Sequence, residues 1–308
     1  MNPLRSHREE NVQSKDKKKG GPFMAETQLS TLKEPEIHRE DILIVVDKYF
    51  KRANVAIVTG AASGVGRATA IAMGANGLTV LGVDVDEKRG AETVEMGKVL
   101  GGKIVFQKAD LAKDADIQGV VKEAQKLGTV KFLANIAGIQ HINAVEDFPM
   151  EMYDRMMAIM LRAPFYLSKL CIPHMKKSED GTGVIANMSS IHGHMVTKNK
   201  PVYNITKFGL RGLTQSIAAE GEGKIRSFSV STGFVATPLA LNQIPSQAKQ
   251  RGITPEEVVR TVMMGRSQIK EMMTPIEVGN LFVIGFSKLG KYLIGGDLLF
   301  DGGMLKTY

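Results

Sequence analysis

From Lys51 onward, short apolar runs alternate with longer stretches in which apolar residues recur at helical spacing. The runs Val55–Val58, Thr79–Val83, Ile104–Gln107, Phe132–Ala134, Gly183–Met188, Ile225–Val230 and Leu298–Asp301 read as strands. Stretches such as Val202 to Ala219 read as helices. Strands alternating with helices predict an α/β domain with an open parallel sheet, in which ligands bind at the C-terminal ends of the strands. Leu239 to Ile269, rich in Met, Gln and charge, is expected to form a mobile helical lid, with Met263 and Met264 as packing.

The first fifty residues stand apart as an N-terminal extension, and residues 51–308 form one domain. Met1 to about Lys33 is polar, and its densest basic run, Lys15-Asp16-Lys17-Lys18-Lys19, reads as a disordered arm. From Glu34 the character changes. Ile37, Ile42, Leu43, Ile44, Val45, Val46, Tyr49 and Phe50 predict an amphipathic helix packing on the body or across a subunit interface, and the β-branched run leaves a strand open.

Composition narrows the class of protein. A hydrophobic content of 43% is ample for a large core. The single cysteine, Cys171, excludes intramolecular disulfides, fits a reducing compartment, and lies in an apolar helical pattern that makes it packing. No apolar run reaches the ~18 residues of a membrane span, and the start lacks the layout of a signal peptide, so a cytoplasmic location is expected. The net charge of +8 is dispersed among acids, which points away from nucleic-acid or membrane partners and leaves a weak steering of anionic ligands. His192 and His194 lack further ligands at useful spacing, so no metal is expected.

Two motifs carry chemistry. Thr59-Gly60-Ala61-Ala62-Ser63-Gly64-Val65-Gly66 joins an apolar run to a helix-like stretch, the context of a phosphate cradle. Gly60 permits a sharp turn, Gly64 lets backbone approach a diphosphate, and Gly66 lets helix pack on strand. Asp84 ends the next strand, placed to accept hydrogen bonds from a ribose 2′-hydroxyl and to repel a 2′-phosphate, which reads as NAD rather than NADP. The bland reading of Asp84 is a strand-end turn residue. Asp110 and Leu111 are placed to cap the adenine, with Asp110 also a candidate helix N-cap.

The second motif is Tyr203 and Lys207, four residues apart on one helix face, with Ser190 upstream. An ammonium one turn away lowers a phenol's pKa toward a usable proton donor, and Ser190 hydrogen-bonds a substrate oxygen beside it. Together they suit proton movement while a hydride moves elsewhere.

The glycine motif, Asn135-Ile136-Ala137-Gly138, Ser190, the Tyr203/Lys207 pair and Asp301-Gly302-Gly303 occur in the order of a short-chain dehydrogenase/reductase, and about residues 51–308 resemble that family. The resemblance implies a Rossmann-type, doubly wound parallel sheet, a nicotinamide cofactor and a homotetramer or dimer. It implies catalysis by Ser190, Tyr203 and Lys207. It also implies cofactor contacts from Gly60, Ser63, Gly64, Val65, Gly66, Asp84, Asp110, Leu111, Asn135, Gly138, Val235 and Thr237, with Tyr203 and Lys207 at the nicotinamide end.

Within the family, Ala137–His141, Val145–Pro149, Ser190–Gly193, Lys200 and Thr237–Leu239 with Gln243 resemble bacterial D-3-hydroxybutyrate dehydrogenases. That resemblance implies substrate contacts from Gln140, His192, Lys200 and Gln243 beside Ser190 and Tyr203. Lys200 would meet a carboxylate, and its bland alternative is a solvated loop charge. The implied function is NAD-dependent interconversion of a small 3-hydroxy acid and its ketone. The alternatives are a reductase of another alcohol, polyol or 3-oxoacyl thioester, and a non-catalytic NAD-binding protein. Four positions depart from the family pattern: Met160, Ile136 and Phe228 stand where asparagines are usual, and Thr232 where a proline is common. Met160 cannot hold the water that links the lysine to solvent in the family, because a thioether has no donor.

Overall fold

Every side chain of β1 (Asn54–Thr59) is buried, and successive residues feed opposite faces of one sheet. Ala56 and Val58 join one core, Val55 and Ile57 the other. The strand therefore reads as an unbroken apolar run, as strands covered on both faces do. The computed structural model describes residues 33–306, so the expected arm of Met1 to about Lys33 lies, up to Leu32, outside the described residues.

Six further strands complete the sheet: β2 (Thr79–Asp84), β3 (Lys103–Lys108), β4 (Thr129–Asn135), β5 (Gly183–Met188), β6 (Ile225–Thr232) and β7 (Asp297–Phe300). Their order is β3-β2-β1-β4-β5-β6-β7, and all neighbours run parallel. This is the doubly wound Rossmann-type α/β fold. All seven expected runs are strands. The largest extension is in β4, where Lys131 interrupts the apolar pattern but is caged: its Nζ donates to Ser178 Oγ and Thr182 O at 2.8 Å and pairs with Asp180.

One face carries α1 (Gly64–Ala75), α2 (Glu87–Val99) and α10 (Pro275–Phe286). The other carries α3 (Asp114–Leu127), α5 (Ala163–Lys176) and α6 (Pro201–Glu220). Cys171 is wholly buried in that second core, and burial pushes its thiol up to about 12. Phe228 is packing too. It meets Phe286 edge-on at 5.3 Å, and Gly285 has no room for a Cβ because Phe228 Cζ would lie 2.3 Å away.

Helix α4 (Met150–Met157) runs into α5 through a π-helical turn, Ala158–Arg162. The region after β6 is helical, as expected: α7 (Pro238–Leu241), α8 (Ile244–Arg251), α9 (Pro255–Glu257) and a second π turn, Val258–Met263. It has its own small core, to which Met263 and Met264 belong.

The expected helix from Ile37 to Phe50 does not form. Residues 33–50 are an extended strap with one 3₁₀ turn at Arg39–Asp41. Its backbone bonds go to side chains of the body. Leu43 N donates to Asn280 Oδ1 at 2.9 Å, and Asn280 Nδ2 donates back to Asp41 O. Asn76 holds Val45 N and Leu43 O in the same way, at 2.8 Å each. Ile37 and Ile42 are buried against the core. With these four backbone groups held from outside, the segment between Asp41 and Val45 stays extended.

Among the described residues no helix is long and apolar enough to cross a membrane.

Candidate active site

The strand order reverses between β1 and β4, and there the loops after β1 to β6 line one cavity of about 280 Å³. Every sequence-predicted site residue except Asn135 lines it. Asn135 lies just beneath, at the end of β4.

The glycine turn is built as its residues require. Gly60 and Gly64 have φ of +72° and +56°, in the left-handed region. A Cβ on Gly66 would lie 2.0 Å from Gly60 O, so only glycine lets α1 start against β1. Ser63 stands at the helix N-cap in extended conformation, and Val65 follows in the first turn. Thr59 Oγ1 accepts from Ile136 N at 2.9 Å and Ala137 N at 3.1 Å, tying this turn to the Asn135–Gly138 loop. Asp84 is half-buried. Its oxygens accept from Ala62 N at 3.2 Å and Val85 N at 2.7 Å, leaving the carboxylate fixed at the end of β2.

Asp110 is not a helix N-cap. That place belongs to Lys113, while Asp110 Oδ1 accepts from Ala112 N at 3.1 Å in a local turn beside buried Leu111. The turn moves the helix N-cap three residues on, which leaves Asp110 facing the cavity. On the far wall, Thr237 N donates to Val235 O at 2.7 Å, and Thr237 caps α7 through Ala240 N.

These residues fit an elongated anionic dinucleotide: a glycine cradle at a helix N-terminus, a carboxylate one strand over, and an unpartnered buried oxygen, Asn135 Oδ1, below the cavity floor. Asn135 is itself oriented by its Nδ2, which donates to Asn187 Oδ1 at 2.9 Å.

At the inner end, α6 brings Tyr203 and Lys207 onto one face, with Lys207 Nζ 5.3 Å from the phenol ring centre. Lys207 Nζ donates to Met188 O at 2.6 Å. Ser190 is hydrogen-bonded to Tyr203, and Ser190 Oγ lies 3.1 Å from His192 Nδ1. His192 Nε2 continues to Thr197 Oγ1 at 2.8 Å, and its ring stands edge-on to Tyr203.

The expected depression of the Tyr203 pKa by Lys207 is reversed in this state. Burial pushes the phenol up to about 12, with the Ser190 bond opposing, and burial pushes Lys207 down to about 7. Each group loses solvation before it gains a counter-charge, so desolvation wins. His192 falls to about 4, first through burial and then through the charges of Lys200 and Lys207. It is a neutral ring at pH 7.

Lys200, half-buried, precedes α6 and faces the same cavity, its pKa lowered by burial. Gln243 Nε2 donates to Gln140 Oε1 at 3.1 Å, which leaves the buried Gln140 Nε2 without a partner. Met160 sits on the π turn, fully buried, and packs in a cluster with Met156, Ile159, Val202 and Tyr203. Arg155 of α4 also lines the cavity. Nothing in its neighbourhood, Tyr153-Asp154-Arg155-Met156, marks it in the sequence, since its place depends on how α4 docks.

A family model described as short chain dehydrogenase matches residues 54–248. The chain belongs to the short-chain dehydrogenase family. A D-beta-hydroxybutyrate dehydrogenase of Rhizobium meliloti is 33% identical over 252 residues, covering 80% of this chain and 97% of that one. One of Cupriavidus necator is 32% identical over 80% of this chain and 96% of its own. An uncharacterized oxidoreductase of Thermotoga maritima is likewise 32% identical, over 82% of this chain and 97% of its own. As a short-chain dehydrogenase this protein is an oxidoreductase with a nicotinamide cofactor and a small-molecule substrate.

Proposed function

We propose that the protein transfers a hydride reversibly between NAD and a small 3-hydroxy acid, with 3-hydroxybutyrate and acetoacetate as the pair. One observation carries the reading. Lys200, His192 and the Gln140–Gln243 pair share a cavity with Ser190 and Tyr203, so a cation and amide donors stand beside the proton-transfer pair. A carboxylate one carbon from the reacting centre fits that combination. The two relatives named D-beta-hydroxybutyrate dehydrogenase support it. Asp84 supports NAD over NADP, because a 2′-phosphate would meet a fixed carboxylate.

In this reading Gly60, Ser63, Gly64, Val65 and Gly66 hold the diphosphate, and Asp84 holds the adenosine ribose. Asp110 and Leu111 flank the adenine, while Asn135, Gly138, Val235 and Thr237 surround the nicotinamide. The bound NAD supplies the hydride acceptor or donor. Ser190 donates to the substrate oxygen and orients it. As the phenolate Tyr203 would take the hydroxyl proton in oxidation, and as the phenol it would return it in reduction. Once Tyr203 carries charge, Lys207 becomes its counter-charge, and the desolvation that opposed each group alone is partly offset.

Lys200→Ala tests the substrate class. The KM for 3-hydroxybutyrate should rise about tenfold to a hundredfold, the scale of one charge-assisted contact, with kcat changed much less. Steady-state kinetics on a neutral alcohol of similar size would show no such change. An unchanged KM for the hydroxy acid would point to an uncharged substrate.

A further inference from the structure

The strap that precedes β1 reaches the glycine-rich turn. Glu34 is half-buried there, and its Oε1 accepts the Gly64 N–H at 2.5 Å. Its Oε2 lies 3.5 Å from the Arg89 guanidinium of α2, and Arg67 adds positive potential. Burial raises its carboxyl above the usual range against all three partners. The residue comes from thirty positions upstream of Gly64 and from outside the matched family segment.

The position is fixed by anchoring. Ile37, three residues on, is buried in the core, and Ile42 follows it. Asn280 and Asn76 clamp the backbone between Asp41 and Val45. Gly64 is the first residue of α1, whose free N–H groups favour an anion. A carboxylate from the chain's own extension already uses one of these donors.

We propose that Glu34 is a gate on the diphosphate cradle: its carboxylate occupies a cradle donor and opposes, by its charge, the entry of a dinucleotide. The gate rests on the reading that the cradle binds a nicotinamide dinucleotide. The ligand it acts on is the diphosphate, so it should weaken ADP and NADH alike and leave adenosine untouched. When the diphosphate docks, Glu34 turns away and the Arg89 pair is broken or redrawn. The strap thereby sets cofactor affinity without touching the substrate.

Titration calorimetry on the full chain tests this with NADH, ADP and adenosine as probes. Glu34→Gln removes the charge and should tighten NADH and ADP about fivefold, with adenosine unchanged. Glu34→Ala removes the acceptor as well and should tighten them at least as much. Glu36→Gln, at an exposed neighbour, should change nothing. Unchanged NADH and ADP affinity in both Glu34 variants overturns the gate. Weaker affinity also overturns it, making Glu34 a cofactor contact. If NADH binds neither wild type nor variant, the dinucleotide reading falls and the gate with it, an outcome distinct from equal binding.

Discussion

Replacing Tyr203 by Phe is expected to lower kcat by about 10²- to 10⁴-fold while leaving NADH affinity within about twofold of wild type. The phenol ring packs against His192 and belongs to the cluster with Met160 and Val202, so Phe keeps the shape of the site. Only the hydroxyl is lost, together with its hydrogen bond to Ser190. With it goes the group that takes the substrate proton. Burial holds the phenol near 12, so oxidation should accelerate with rising pH in wild type and lose that slope in Tyr203→Phe. Steady-state rates paired with NADH fluorescence titration read both effects. Turnover within tenfold of wild type would remove Tyr203 from the mechanism.

Lys207→Met should separate stability from activity. Lys207 is 4% exposed, and burial carries its pKa from 10.5 down to about 7. The unfolded chain holds the proton below 10.5 and the folded chain only below about 7. The destabilisation is therefore absent at high pH, grows as pH falls between those values and is fully present below 7. Methionine removes it and loses one hydrogen bond to Met188 O. The net gain is on the order of 3 kcal/mol below pH 7, a rise in Tm of about 5–10 °C, shrinking toward zero near pH 10. Turnover should disappear in the same variant, because the ionised Tyr203 loses its counter-charge. Thermal unfolding of both proteins without cofactor across pH 6–10 checks the sign; a variant less stable than wild type at pH 6 would contradict it.

The sheet was legible because each strand's apolar run is local, and the inner strands β1, β2, β4 and β5, buried on both faces, read as nearly continuous apolar runs. Ser190, Tyr203 and Lys207 were legible for a similar reason: one helix face and one strand end bring them together. The strap's extended form is not legible in the sequence, because its partners, Asn76, Asn280 and Lys288, lie 31 to 241 residues away and no periodicity records them. Without those clamps the same apolar spacing describes a helix. The protonation of the Tyr203/Lys207 pair was also hidden. Spacing reports that the groups are close, while their burial depends on Met188, Met160 and the loop after β5. The Glu34–Gly64 contact belongs to the same class, since a lone glutamate in a polar stretch carries no local signal.

The most direct test of the account is NADH formation from D-3-hydroxybutyrate, beside its L-isomer and with NADP in place of NAD. Turnover confined to the D-isomer and strongly favouring NAD is the predicted result. It would place the carboxylate at Lys200, keep Asp84 at the ribose, and show that a buried Met160 is compatible with proton exchange. No turnover with the D-isomer, in a protein that demonstrably binds NADH, would contradict the proposed chemistry.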